Sequence, residues 1–171
     1  NPDYDMAANA WYGAAGYIWD SLPCSPTISY RNASFSGDDP GTDTYERFDG
    51  LMTNGFGNWL QGMSFGKVYR NANLNTHRLQ ANVSPREGMN ITLSWHQLRA
   101  DQLNNLGANP ALSQLSSSAI GQEFTATLRW GIDRNRFLQV VASHAIPGRA
   151  LRDIGADEPW STFQASLYVS F

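Results

Sequence analysis

The chain has 171 residues, enough for one domain with a sizeable core, and its formal net charge of −3 does not favour nucleic acid as a partner. Charged residues make up 16% of the chain, well below the ~25% of an average soluble domain, whereas aromatic residues reach 12%. Mean hydropathy is negative, and no apolar run approaches the ~20 residues that a transmembrane helix needs. A chain that is polar on average, poor in charge and rich in aromatics is typical of a membrane β-barrel, whose strands have one lipid-facing side and one wet side.

The first part of the chain is predicted to form two strands joined by a turn. Residues 6–19 are rich in aromatic residues, alanine and glycine, and this composition favours a strand over a helix. Prolines 23 and 26 then predict a tight turn. Apolar and polar residues alternate over 27–36, with Ile28 on one face and Arg31 on the other. This period of two predicts the second strand.

The longest irregular stretch covers residues 37–70. A structureless segment of this length is uncommon in a soluble domain, whereas outer-membrane barrels have long external loops. Within it, Arg47 is a candidate to fold into the mouth of a pore. The acidic residues of the stretch offer oxygen ligands for calcium, with Asp38, Asp39 and Asp43 as the candidates. Because they lack the ligand spacing of an EF-hand, we favour a solvated external loop over a calcium site.

Regular alternation returns at residue 74 and predicts five further strands. They are placed at 74–83, 89–98, 122–132, 137–146 and 160–171. In the last of them, every second residue from Phe163 to Phe171 is apolar, and the chain ends on an aromatic residue as outer-membrane barrels commonly do.

The connections between these segments alternate between short and long. Short turns are predicted at 20–26, 84–88 and 133–136, and long loops at 37–70, 99–118 and 147–159. A barrel with one turn-rich end and one loop-rich end has this pattern. We therefore predict an all-β, antiparallel transmembrane β-barrel segment over 1–171 with about seven or eight strands. Because lipid does not tolerate unpaired edges, either an eighth strand lies near 64–70 or the chain is the C-terminal part of a larger barrel.

Basic charge in the chain is almost entirely arginine. Arg31, Arg78 and Arg129 each lie in the middle of a predicted strand, on its polar face. If that face lines a lumen, these guanidinium groups form a cationic surface suited to carboxylates, since each can donate two hydrogen bonds to one carboxylate. The alternative is that the arginines pair with lumen acids such as Glu123 and brace the barrel.

A catalytic constellation is also conceivable on the polar face. Ser94 and His96 lie two residues apart on one predicted strand, and Glu123 lies on the next. The His-x-Ser order of membrane lipid A deacylases is absent, however. We therefore predict that the chain is not an enzyme and keep a lipid-modifying barrel enzyme as an alternative.

Several short motifs resemble the C-terminal half of the alginate export family. They are I-S-Y-R at 28–31, F-S-G-D-D-P at 35–40 and E-R-F-D at 46–49, continued by W-L-Q-G at 59–62 and by residues 71–87. The resemblance implies a bacterial outer-membrane barrel of about 18 strands with an arginine-lined pore that passes a polyuronate.

What this resemblance implies for the chain can be stated residue by residue. Arg31 and Arg129 would line the lumen, with Arg78 and Arg47 as further pore-lining positions, and no cofactor would be required. The substrate would be an anionic polysaccharide or oligosaccharide. The implied partners are outer-membrane lipid and lipopolysaccharide, the barrel-assembly machinery through the C-terminal strand, and periplasmic secretion components. The alternatives are a general anion-selective porin, the lipid-modifying enzyme, and a barrel with a structural or adhesive role.

Overall fold

The computed structural model describes residues 5–49, 61–105, 108 and 110–171, and it is an all-β protein. Seven strands form one antiparallel sheet in which each strand pairs with the next along the chain. They are β1 (Ala10–Ile18), β2 (Thr27–Phe35), β3 (Leu74–Arg86), β4 (Met89–Arg99), β5 (Ala119–Gly131), β6 (Arg136–Pro147) and β7 (Trp160–Val169). The predicted antiparallel all-β architecture, with short turns at one end and long loops at the other, is confirmed.

Within the described ranges, helical structure is limited to a short α-helix, α1 (Arg149–Arg152), and to 3-10 turns at Phe65–Lys67 and Pro110–Leu112. Among the described residues, no helix has the length and apolar character needed to cross a membrane.

Alternation along the strands gives the sheet two chemically different faces. The apolar face includes Leu93 and Phe163, which are 56% and 72% exposed. The polar face includes Arg31, which lies opposite Arg78, and Ser94, which lies opposite Thr125. From β2 to β7 the register aligns these faces, with mostly polar side chains along the middle of one and mostly apolar side chains along the other, because successive residues of a strand point to opposite sides.

One of the two alternatives for the strand count and one predicted turn boundary are wrong. The structure has no strand at 64–70; the chain there makes the 3-10 turn Phe65–Lys67, in a segment without apolar alternation. The described residues therefore contain seven strands rather than eight. The turn predicted at 84–88 is also too long, because β3 continues to Arg86 and only two residues connect it to β4. Gly88, with φ of +71°, provides the left-handed conformation of that connection.

The hydrophobic core lies at the loop-rich end of the sheet, on the polar face. Its buried residues come from the strand ends and from the three long connections: Ala33, Phe35, Phe65, Tyr69, Leu74, Leu98, Ala100, Leu112, Leu115, Ile120, Ala145, Ala150 and Leu151. The described parts of the long loops therefore fold inward over the sheet. At that end they cover the polar face and leave the apolar face exposed.

Candidate functional site

Two of the predicted pore-lining arginines meet in one polar cleft. Arg78 of β3 and Arg129 of β5 both line a cavity of about 370 Å³ on the polar face. The other residues around it are Gly62, Gln80, Thr92, Ser94, His96, Thr125, Thr127 and Gln139. None of these described lining residues is acidic, so the two guanidinium groups face neutral hydrogen-bonding side chains. We call this cavity the arginine cleft.

Arg31 extends the positive charge of the arginine cleft onto the neighbouring strand. It is the direct cross-strand partner of Arg78. Its guanidinium carbon lies 5.2 Å from the centroid of the Tyr12 ring, a cation–π geometry that partly offsets the cost of burying the charge. Like charges on directly opposed residues destabilise a sheet, so this pairing has a cost that a nearby anion would offset.

The Nε atoms of these arginines are not used by the protein itself. Those of Arg31 and Arg78 are buried and have no hydrogen-bond partner among the described residues. The ion pairs between described residues are Arg136–Asp133 and Arg149–Asp153, both well exposed and outside the cleft. Half-buried arginines with an unused Nε donor suit an acceptor supplied from outside the chain.

The alternative in which Glu123 braces an arginine is wrong. The Glu123 side chain is fully buried, and its carboxylate accepts hydrogen bonds from the backbone N–H groups of Met63 (2.6 Å), Ser64 (3.0 Å) and Phe65 (2.9 Å). The hydroxyl group of Thr125 donates a further bond of 2.9 Å. The carboxylate therefore holds a loop rather than an arginine.

The same contacts weaken the hydrolase alternative. Ser94 and His96 line the arginine cleft, and His96 is the cross-strand partner of Glu123. A Ser-His-Glu triad needs the carboxylate to orient the imidazole. Here the carboxylate is bonded to loop N–H groups, so Ser94 and His96 contribute to the cleft as polar lining residues.

Arg47 does not join the other three arginines. It lines a separate pocket of about 80 Å³ within the loops, together with Tyr69 and Asn105, and its Nε atom is buried without a hydrogen-bond partner among the described residues. Burial raises the pKa of the Tyr69 phenol, and the nearby positive charge of Arg47 acts in the opposite direction. The adjacent Phe48 ring packs on Phe35 at 5.4 Å, so this part of the long loop folds inward.

The acidic residues proposed for calcium are used in turns of the long loop. Asp38 Oδ1 accepts a hydrogen bond from the backbone N–H of Glu46 (2.9 Å), and Asp39 Oδ1 accepts one from that of Gly41 (2.8 Å). Asp43 is exposed. In the part of the chain that the structure describes, no three potential metal ligands are grouped. The solvated loop stays the prediction, and calcium binding stays the less favoured alternative.

Sequence reasoning missed the segment of residues 62–65 as part of the site. Gly62 lines the arginine cleft, and the residues that follow it are held on the polar face by Glu123. The two glycines at 62 and 66 and the absence of alternation were the only local signals of a tight turn here.

The family model described as alginate export matches residues 3–159. No curated protein matches the chain.

Proposed function

This chain belongs to the alginate export family, and from this premise we propose that it forms part of an outer-membrane passage for an anionic polysaccharide or oligosaccharide. In this proposal the polar face of the sheet lines the passage and the arginine cleft lies on the path of the substrate. The transport is passive, and its selectivity comes from charge.

The observation that carries the proposal is the environment of the arginines. Arg78 and Arg129 share a cleft without an acidic lining residue, and Arg31 stands directly beside Arg78. A polyuronate has a carboxylate on every sugar, and a guanidinium group can bind such a carboxylate through two parallel hydrogen bonds. The three arginines, on β2, β3 and β5, can thus offset the charge of successive sugars while the polymer moves past them.

The neutral side chains of the cleft complete this environment. Gln80, Thr127 and Gln139 offer donors and acceptors for sugar hydroxyl groups. Conduction requires sites that bind well enough to admit the substrate and weakly enough to release it. A few arginines among many neutral groups meet both requirements better than a dense cationic cluster would. No covalent step is involved, and the proposed activity is not enzymatic.

The apolar face is proposed to contact outer-membrane lipid and lipopolysaccharide. Among the described residues β1 and β7 each pair on one side only, and lipid does not tolerate unpaired strand edges. The proposal therefore includes further strands that close a larger barrel, about 18 in all, as the resemblance to the family implies. The barrel-assembly machinery, acting through β7, and periplasmic secretion components are proposed partners.

Anion selectivity in planar lipid bilayers tests the proposal. The double variant Arg78→Gln, Arg129→Gln of the whole protein is expected to shift the reversal potential in a salt gradient towards cation preference. It should also weaken the block of the current by polyuronate oligomers. The control is Arg136→Gln, which removes an exposed arginine already paired with Asp133. Unchanged selectivity and unchanged block in the double variant would rule the proposal out, while loss of selectivity with no polyuronate block in the parent protein would favour a general anion porin.

A further inference from the structure

A buried carboxylate holds a loop segment against the polar face of the sheet. Glu123 of β5 accepts hydrogen bonds from three consecutive backbone N–H groups, those of residues 63–65. Such a run of converging N–H groups forms an anion-binding nest. A buried carboxylate is costly unless its lone pairs are satisfied, and Thr125 supplies the fourth donor here. Glu123 therefore attaches the loop to the sheet through a buried carboxylate whose hydrogen bonds are satisfied.

The loop backbone is shaped to reach this carboxylate. Gly62 has φ of +85°, in the left-handed region that favours glycine. A Cβ atom at this position would collide with the carboxyl group of Glu123. The chain can therefore approach the carboxylate this closely only with glycine at position 62.

Two further contacts fix the same segment to the neighbouring strands. The hydroxyl oxygen of Ser64 lies 2.6 Å from that of Ser143 on β6 and 2.8 Å from that of Thr162 on β7. The next residue, Phe65, is fully buried and packs edge-on against Trp160. The segment is thus attached to β5, β6 and β7 at once, by polar and apolar contacts that reinforce each other.

The attached segment borders the arginine cleft, because Gly62 is one of the cleft's lining residues. We infer that Glu123 is a positioning residue that holds Gly62–Phe65 as a fixed constriction beside the arginine cleft, and that this constriction sets the size of the solute that passes. The inference rests on the proposed function. It makes the segment held by Glu123 responsible for the size limit of the passage, whereas the proposed function makes the arginines responsible for its charge selectivity.

Permeation of neutral oligosaccharides separates these two roles, because neutral sugars are insensitive to the charge of the pore. In liposome-swelling measurements on the whole protein, Glu123→Ala is expected to admit larger oligosaccharides and to speed the entry of those near the limit severalfold. Gly62→Ala, which pushes the segment off the carboxylate from the other side, should do the same. The control Glu158→Ala removes an exposed acid in the loop before β7 and should leave the limit unchanged. If Glu123→Ala does not assemble, Gly62→Ala alone carries the test.

A cross-link tests whether the size limit depends on the position of the loop segment rather than on the Glu123 carboxylate itself. With Cys24 replaced by serine and with Glu123→Ala, the pair Ser64→Cys and Ser143→Cys is expected to restore the original size limit on oxidation and to lose it on reduction. The inference is overturned if Glu123→Ala and Gly62→Ala both keep the parent limit, or if the oxidised cross-link fails to restore it. Neither outcome touches the arginine proposal, which is tested by charge selectivity.

Discussion

The ring of Phe65 lies against the backbone of Gly121, in the space that a side chain at position 121 would occupy. Phe65 is fully buried and also meets the Trp160 ring edge-on, with centroids 5.1 Å apart. Strand β5 thus has a glycine at the point where the long loop comes closest to the sheet, as strands do where another part of the structure approaches closely. Loop and sheet therefore share one core, and the loop cannot move outward without opening that core.

Gly121→Val is expected to lower the free energy of unfolding by about 1–3 kcal/mol, because overpacking displaces either the Phe65 ring or the strand. A Cβ atom at position 121 would also lie 2.6 Å from the carbonyl oxygen of Ile146 on β6. The matched control is Gly13→Val, since a Cβ atom at Gly13 in β1 meets nothing within 4 Å. Denaturant unfolding of the refolded protein compares the two variants. Equal free energies of unfolding for Gly121→Val and Gly13→Val would contradict the close packing of the Phe65 ring on Gly121.

Asn73 joins two of the long loops and should be sensitive to substitution. It is fully buried; its Nδ2 atom donates to Gln102 O (3.0 Å) and to Asn105 Oδ1 (3.1 Å), and its Oδ1 atom accepts from the Gln102 N–H (2.6 Å). Its φ of +53° is tolerated better by asparagine or glycine than by other residues. Asn73→Ala is expected to cost about 2–4 kcal/mol through the lost hydrogen bonds and the strained backbone.

The comparison that isolates this effect uses Asn73→Gly and Asn75→Ala. Asn73→Gly loses the side-chain bonds but not the backbone compatibility, so its stability should lie between those of the parent and Asn73→Ala. Asn75 makes one exposed bond, to Asp101 at 3.1 Å, and Asn75→Ala should be nearly neutral. Denaturant unfolding gives the three stabilities, and limited proteolysis reports whether the loops open. If the loops of Asn73→Ala resist proteolysis as well as those of the parent, Asn73 does not hold the two loops together.

The strands were predictable because sheet geometry imposes a period of two on any strand with two different environments. Strand β4, with Leu93 and Trp95 on one face and Ser94 and His96 on the other, follows this rule from Met89 to His96. The segment at 64–70 was not predictable in this way. Its conformation depends on Glu123, which lies 58 residues beyond Phe65 in the chain, and a local pattern has no information about so distant a partner.

The face on which the arginines of the site lie was predictable for the same reason. Alternation places Arg31, Arg78 and Arg129 on one face, and the structure confirms this placement. That Arg78 and Arg129 share one cleft depends on the relative registers of β3, β4 and β5, which alternation does not determine. The role of Glu123 was missed because an acid on a polar face has the same sequence pattern whether it pairs with an arginine or with backbone N–H groups.

Arg78→Lys should separate charge from geometry at the arginine cleft. Lysine keeps the positive charge but lacks the planar fork that donates two hydrogen bonds to one carboxylate. We expect the selectivity for small anions to change little, while block of the current by polyuronate oligomers weakens by about tenfold, the equivalent of one charge-assisted hydrogen bond. Arg136→Lys, at an exposed position, is the control. Equal polyuronate block in Arg78→Lys and the parent would mean that Arg78 acts only as a point charge.

The turn between β5 and β6 should lose stability in acid. Hydrogen bonds from the Arg136 side chain (2.6 Å) and from the Asn135 N–H (3.0 Å) hold the pKa of the Asp133 carboxyl below its usual range. Because the folded pKa is the lower one, the stabilisation is complete above the unfolded pKa of about 4 and disappears as the pH falls through the folded value. Asp133→Asn is therefore expected to lower the thermal midpoint slightly at neutral pH, since the pair is exposed, and this difference from the parent should shrink as the pH falls towards about 2. A difference in midpoint that is the same at both pH values would show that the carboxylate charge is not its source.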